Sequence, residues 1–435
     1  MMIPTLFITN LIEEREVRQQ EVASEVSSRW AGSQVLAGPY LYLPYKTFYK
    51  DKDGKTREGS NHFWILPEDL GVTGKIDHEV RQRSIYKILL YRANLKNSGH
   101  FKIQVPADID PGAVEWHKAE VCYSLSDFKG IEEKLAVRLK EHEYELSPGL
   151  PEEDIQVSDL SAARQPGGFA PPAIASADRS YPSGFSSNIA ISAADIGKEI
   201  SFDMDLRFKG SGQLHFIPLG GNSHFSLQSD WGSPSFDGNN LPSEREVTPQ
   251  GFKASWSFNK ANLPFGTVLK DFKFNLSSLA FGVTLLQPAD QYAKTSRSIK
   301  YAILFIGLTF ALFFIVELMQ KKPVHPIQYV LIGLALVIFY TLLLSISEFI
   351  LFNYAYLIAA LATILLITLY AFGHFGSWKS AGLFGGVLSI LYTFIFILVQ
   401  LEDTALLVGS IGLFIVLAAV MYVSKRINWY GTKTT

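Results

Sequence analysis

One cysteine, Cys122, occurs in 435 residues, which excludes an intramolecular disulfide and any cysteine-ligated metal cluster. It alternates with Val121, Tyr123 and Leu125 and reads as a packed strand residue. Basic excess is missing too. Lysine and arginine number 39 against 41 aspartates and glutamates, so nothing marks a nucleic-acid partner. The chain also lacks a G-x-S-x-G nucleophile elbow, a Walker loop, a dinucleotide fingerprint and H-E-x-x-H, and it shows no repeat of fixed period.

The most informative shortage is of charge. Beyond residue 300 there are six basic and four acidic residues, against 33 and 37 before it. The apolar blocks Tyr301–Met319, Ile327–Ile346, Leu351–Phe372, Ala381–Val399 and Ala405–Val423 fill most of that region. Each approaches the roughly 20 residues needed to cross a bilayer core, and core helices of soluble proteins are shorter. The sequence therefore predicts a transmembrane domain of five α-helices over residues 301–423, with the lipid bilayer as partner and a tail at 424–435. Only Glu317 puts a charge inside a block, about one turn from Lys321 and Lys322, where it can reach the interface. No ionisable group falls at mid-span, which argues against an ion-coupled pump. Gly382, Gly386 and Ser389 in the fourth block, and Gly409 and Gly412 in the fifth, predict close helix packing.

Loop charges set an expected orientation. Lys321, Lys322, Lys379, Lys425, Arg426 and Lys433 fall on one side, which the positive-inside rule makes cytoplasmic. Lys294, Arg297 and Lys300 oppose that count from the other side. The C-terminus is thus expected inside and the first 295 residues outside. Met1–Ile8 is apolar, too short to span and without a basic leader region, so residues 1–30 read as the remnant of an N-terminal anchor followed by a charged helix, Asn10–Trp30. About 10 to 20 further apolar residues upstream would complete such an anchor.

Residues 31–295 have a period of two. Ile200, Phe202, Met204, Leu206 and Phe208 alternate with polar neighbours, as do Phe252, Ala254, Trp256 and Phe258. Weaker strand signals cover Leu36–Tyr45, Tyr86–Leu95, Glu120–Ser126, Leu214–Leu219 and Phe272–Leu286, with turn signals at Asp53-Gly54 and Asp237-Gly238. Prolines and glycines concentrated in residues 146–188 predict a loop dividing two β subdomains, Gln34–Glu145 and Ile189–Gln291. The expected fold is a mostly antiparallel β extracytoplasmic domain followed by the five-helix bundle.

Candidate chemistry is sparse. His117 with Glu120, and His215 with His224, lack a third ligand at usable spacing and read as surface or strand residues. Trp231 with Pro234–Phe236 is open to two readings, a groove lining or an aromatic packing under a turn, and the packing is favoured. No catalytic, cofactor-binding or metal-binding residue is assigned.

Specific runs carry a resemblance. His325-Pro-Ile-Gln-Tyr329, Leu331–Tyr340, Leu342–Glu348 and Ala355–Ile367 in the apolar half resemble the membrane domain of the CreD inner-membrane proteins. Leu89–Leu95, Gly99–Phe101, Ser126–Ile131, Ser229–Phe236, Leu241-Pro242 and Gly251–Trp256 resemble the soluble half of the same family. The resemblance implies a role in cell-envelope integrity under a two-component regulon, without catalytic residues or a cofactor. The expected function is a non-enzymatic membrane protein that binds or senses an envelope protein or cell-wall component. A small-molecule or lipid transporter and an extracytoplasmic hydrolase stand as alternatives.

Overall fold

The alternation of Ile200 to Phe208 builds a strand, Glu199–Ser211, that buries all five apolar side chains and exposes the residues between them. This strand belongs to a computed structural model that describes residues 2–50, 53, 55–151, 184–270, 276–285, 291–320, 324–401 and 404–424. The chain divides into two units, Val22–Pro288, and Met1–Glu21 with Ala289–Thr435.

The first unit is built on two mixed sheets. One contains β1 (Gln34–Lys50), β2 (Thr56–Ile65), β5 (Glu120–Leu125), β8 (Ser147–Pro148), β9 (Gly184–Asn188), β11 (Gln213–Ile217), β13 (Pro234–Gly238), β16 (Val268–Leu269) and β17 (Phe281–Leu285). Its order is β13-β17-β11-β1-β5-β9-β8, with β2 and β16 extending from β1. The other contains β3 (Asp69–Arg83), β4 (Tyr86–Lys102), β6 (Ala136–Leu139), β7 (His142–Glu145), β10 (Glu199–Ser211), β12 (Asn222–Ser229), β14 (Glu244–Thr248) and β15 (Gly251–Phe258), in the order β14-β15-β12-β3-β4-β10-β6-β7. Most pairs are antiparallel, but β1 pairs parallel with β11 and β12 with β3.

Those parallel pairs overturn the two-subdomain expectation. Each joins a strand from before residue 150 to one from after 210, so both sheets interleave the two halves. Residues 152–183, most of the expected loop at 146–188, lie outside the described residues, and its described ends form β8 and β9. Asp237-Gly238 ends strand β13 rather than making a turn, and Gly54 lies outside the described residues.

A common apolar core joins the two sheets. Phe216 and Phe281 of the first sheet meet Phe225 of the second at ring distances of 5.3 and 4.8 Å. A second apolar cluster forms on the first sheet, where Phe265, Leu276 and Ala280 pack with Leu269 of β16 and with Val35, Tyr40, Tyr42 and Cys122. Strand β1 is accordingly buried without interruption from Gln34 to Pro44, which explains why its sequence reads as an apolar run and not an alternation. Cys122 is fully buried there, and desolvation pushes its thiol pKa up, so it is an inert packing residue.

Helix α1 (Met2–Trp30) belongs to the helical unit up to Glu21 and to the β unit from Val22. Its last residue docks on the second sheet, where Arg81, Lys209 and Arg92 lie 4.1, 4.7 and 5.1 Å from the Trp30 ring.

A turn near the sheet edge supplies a pH-dependent contribution. Asp195 accepts hydrogen bonds from Lys140 Nζ at 3.0 Å and from the Ser192 backbone N–H at 3.0 Å. The Lys140 ammonium first, opposed by burial, and then Ser192 hold its carboxyl below the usual carboxylate range. A depressed folded pKa stabilises fully above the unfolded value of about 3.9 and is lost as pH falls through the folded one. Asp195→Asn is expected to cost about 1 kcal/mol at neutral pH and to flatten the acid limb of the stability profile, read from urea midpoints at pH 3 to 7. An unchanged acid limb would remove this assignment.

The helical unit contains α2 (Gln291–Lys300), α3 (Ala302–Gln320), α4 (Pro326–Ser347), α5 (Phe352–Phe375), α6 (Trp378–Gln400) and α7 (Ala405–Ser424). Among the described residues three of these, α4, α5 and α6, are long and apolar enough to cross a membrane, and a fourth span results if α2 and α3, bent by 45°, are counted as one. Leu357, Ile358, Leu361, Leu365, Leu366 and Leu369 form an outward stripe on α5, a surface that suits hydrocarbon. Inside the unit, Phe339, Tyr356 and Tyr392 interlock α4, α5 and α6, and the Tyr356 hydroxyl donates to the Tyr392 carbonyl at 2.8 Å. Small-residue packing meets the expectation in the fifth block, at Gly412, and falls on Gly385 in the fourth. Gly382 and Gly386 face open space, whereas Gly385 lies against Thr368 of α5 and Gly412 against Phe394.

Candidate functional site

A row of polar side chains crosses the outer face of the second sheet. Pairing places Lys75 of β3 beside Gln228 of β12, Gln228 beside Lys253 of β15, and Lys253 beside Glu246 of β14. Alternation buries the neighbours of Lys75, Gln228 and Lys253, whose side chains face outward, and Glu246, on the exposed edge strand β14, shares their face by pairing with Lys253. Where the β14–β15 hairpin ends, Asp230, Thr248 and Gln250 rise beside this row and close a groove of about 370 Å³. Gly251 and Phe252 contribute to its lining. Gly251 has φ +148°, and a Cβ there would run into the Ser229 carbonyl oxygen, so the hairpin can approach β12 this closely only with glycine.

Two of the charges are already engaged. Lys75 pairs with Asp77 at 2.8 Å. Asp230 Oδ1 meets His78 Nδ1 at 2.7 Å and accepts the His78 backbone N–H at 3.3 Å. Burial opposes ionisation of Asp230, but the His78 bonds outweigh it and leave the carboxyl below the usual range. Glu246 and Lys253 stand opposite each other without forming an ion pair.

The family model for inner membrane protein CreD matches residues 1–430. The chain belongs to the CreD family. It is 31% identical over 440 residues to the inner membrane protein CreD of Escherichia coli K12, covering 99% of this chain and 91% of that protein. The resemblance read from the sequence is therefore established, and this is an inner-membrane protein family.

The other residues singled out in this CreD-family chain are not brought together. His117 is exposed in a short 3-10 turn, Trp116–Lys118, and Glu120 begins β5. His215 and His224 fall on different sheets, on β11 and β12. His224 meets the Ser257 hydroxyl at 3.1 Å on the outer face. His215 is buried, with Nε2 2.6 Å from Asp237 Oδ1, while Asp237 Oδ2 accepts the Thr284 hydroxyl at 2.6 Å. That order places the carboxylate between histidine and hydroxyl, so the imidazole does not reach the oxygen it would have to deprotonate. Among the described residues no group of three or more His, Cys, Asp and Glu is arranged to hold a metal.

The segment Ser229–Phe236 was half legible. Phe236 packs in the core, 5.5 Å from Phe252 and 5.8 Å from Trp256, as the packing reading expected. Trp231 lies against the core with its ring 5.0 Å from His78. Asp230, in the same run but not singled out, lines the groove. In the helical unit Glu317 accepts the Tyr329 hydroxyl at 2.6 Å and the Val324 N–H at 2.9 Å, tying the end of α3 to the start of α4. Lys321 and Lys322 lie outside the described residues.

Proposed function

We propose that this CreD-family protein crosses the inner membrane five times, holds its β unit outside the cytoplasm, and acts without catalysis by binding an envelope component at the hairpin-end groove. The groove carries this reading, because it gathers four charged residues and four uncharged polar ones, Gln228, Ser229, Thr248 and Gln250, at one end of the sheet face. The arrangement of His215, Asp237 and Thr284 supports a binding role over hydrolysis, since the hydroxyl is bonded to the acid and not to the base. A part in envelope integrity and stress response, the role implied by the resemblance read from the sequence, belongs to the same proposal.

For topology, the loop bases favour a cytoplasmic C-terminus. Reporter fusions at Thr435 and near Asp290 are expected to report opposite compartments, and the same compartment for both would overturn the orientation. For binding, a photo-crosslinking amino acid at Gln250 is expected to capture an envelope protein or cell-wall fragment in living cells, while one at exposed His142 at the opposite edge of the sheet captures none. Equal labelling from both positions would remove the groove as the binding site.

A further inference from the structure

We infer that the groove takes a zwitterion, a short peptide-like molecule with a free ammonium and a free carboxylate, held between Glu246 and Lys253. The inference rests on the binding reading above and names its ligand class.

Charge balance is the first argument. Lys75 and Lys253 offset Asp230 and Glu246, so the groove has no surplus of either sign with which to collect a polyanion or a polycation. Engagement is the second. Lys75 is held by Asp77 and Asp230 by His78, which leaves one carboxylate and one ammonium available for a ligand. Paired neighbours on adjacent strands have their Cα and Cβ atoms about 5 Å apart, so the flexible Glu246 and Lys253 side chains start from a spacing that a dipeptide, with one peptide unit between its charged ends, can bridge. Such a ligand gives Glu246 and Lys253, which form no ion pair with each other, one charge-assisted bond each.

The uncharged lining agrees. Gln228, Gln250 and Thr248 supply amide and hydroxyl groups of both donor and acceptor character, matched to a peptide bond. A sugar platform needs an exposed aromatic face, and the one aromatic residue lining the groove, Phe252, is 3% exposed.

The test uses the full chain in nanodiscs and four probes: alanyl-alanine, its N-acetyl form, its C-terminal amide, and a neutral N-acetylglucosamine oligomer, each measured calorimetrically. Alanyl-alanine is expected to bind, and capping either end to weaken it about tenfold or more. Glu246→Gln should remove the difference between free and N-acetylated peptide but keep that caused by the amide. Lys253→Gln should do the reverse, and Lys253→Arg should restore wild-type discrimination. Equal affinity for free and capped peptides, preference for the sugar, or no peptide binding at millimolar concentration would each overturn the ligand class. Crosslinking from Gln250 separates the two readings, since a captured partner with no dipeptide binding sinks the zwitterion and leaves the groove as a binding site.

Discussion

Trp256→Ala is expected to destabilise the β unit by about 3 to 5 kcal/mol, a large part of the 5 to 15 kcal/mol that typically holds a domain. Trp256 is among the largest fully buried side chains, at 1% exposure. Its ring lies 5.5 Å from Phe281 and 5.8 Å from Phe236, both on the opposing sheet, and its Nε1–H donates to the Asn240 carbonyl at 3.2 Å. Truncation removes these two ring contacts between the sheets and leaves that carbonyl without its donor. Urea-dependent pulse proteolysis of the full chain in membrane vesicles reads the loss directly, and envelope sensitivity should follow from low abundance. A variant within 1 kcal/mol of the parent would show that the core closes around the missing ring.

Gly282→Ala is expected to cost about 2 to 4 kcal/mol although it adds one methyl group. Gly282 lies on β17, between β11 and β13, paired with His215 on one side and Asp237 on the other. The two flanking side chains meet above it at 2.6 Å, which only a residue without a side chain permits. An added Cβ would press on the Leu214 carbonyl oxygen and stand 2.7 Å from His215 Cδ2. The backbone cannot yield without breaking the pairing on both sides. The same proteolysis assay checks this, with Gly307→Ala as the comparison, because a Cβ there meets nothing within 4 Å. Equal stability of the two variants would overturn the close-contact account.

The sequence by itself determined the division of the chain, because both signals behind it are local. Apolar blocks near 20 residues and strands of period two depend on neighbours within a few positions, and Glu199–Ser211, Gly251–Phe258 and the helices over Pro326–Gln400 follow those patterns. The family was legible for the same reason, through contiguous runs spread along the chain.

Tertiary structure alone decided which strands are neighbours, and therefore the groove. Pairing between β3 and β12 spans some 150 residues, and nothing local in Lys75 or Gln228 announces the other. Partner choice is set by which apolar faces can be covered, and the resulting register then aligns polar side chains on the opposite face. Asp230 shows the limit most clearly. Its meeting with His78 and its position over the β14–β15 hairpin exist only once β12 lies between β3 and β15. The same holds for His215 and Asp237, 22 residues apart, which touch because β17 places a glycine between them.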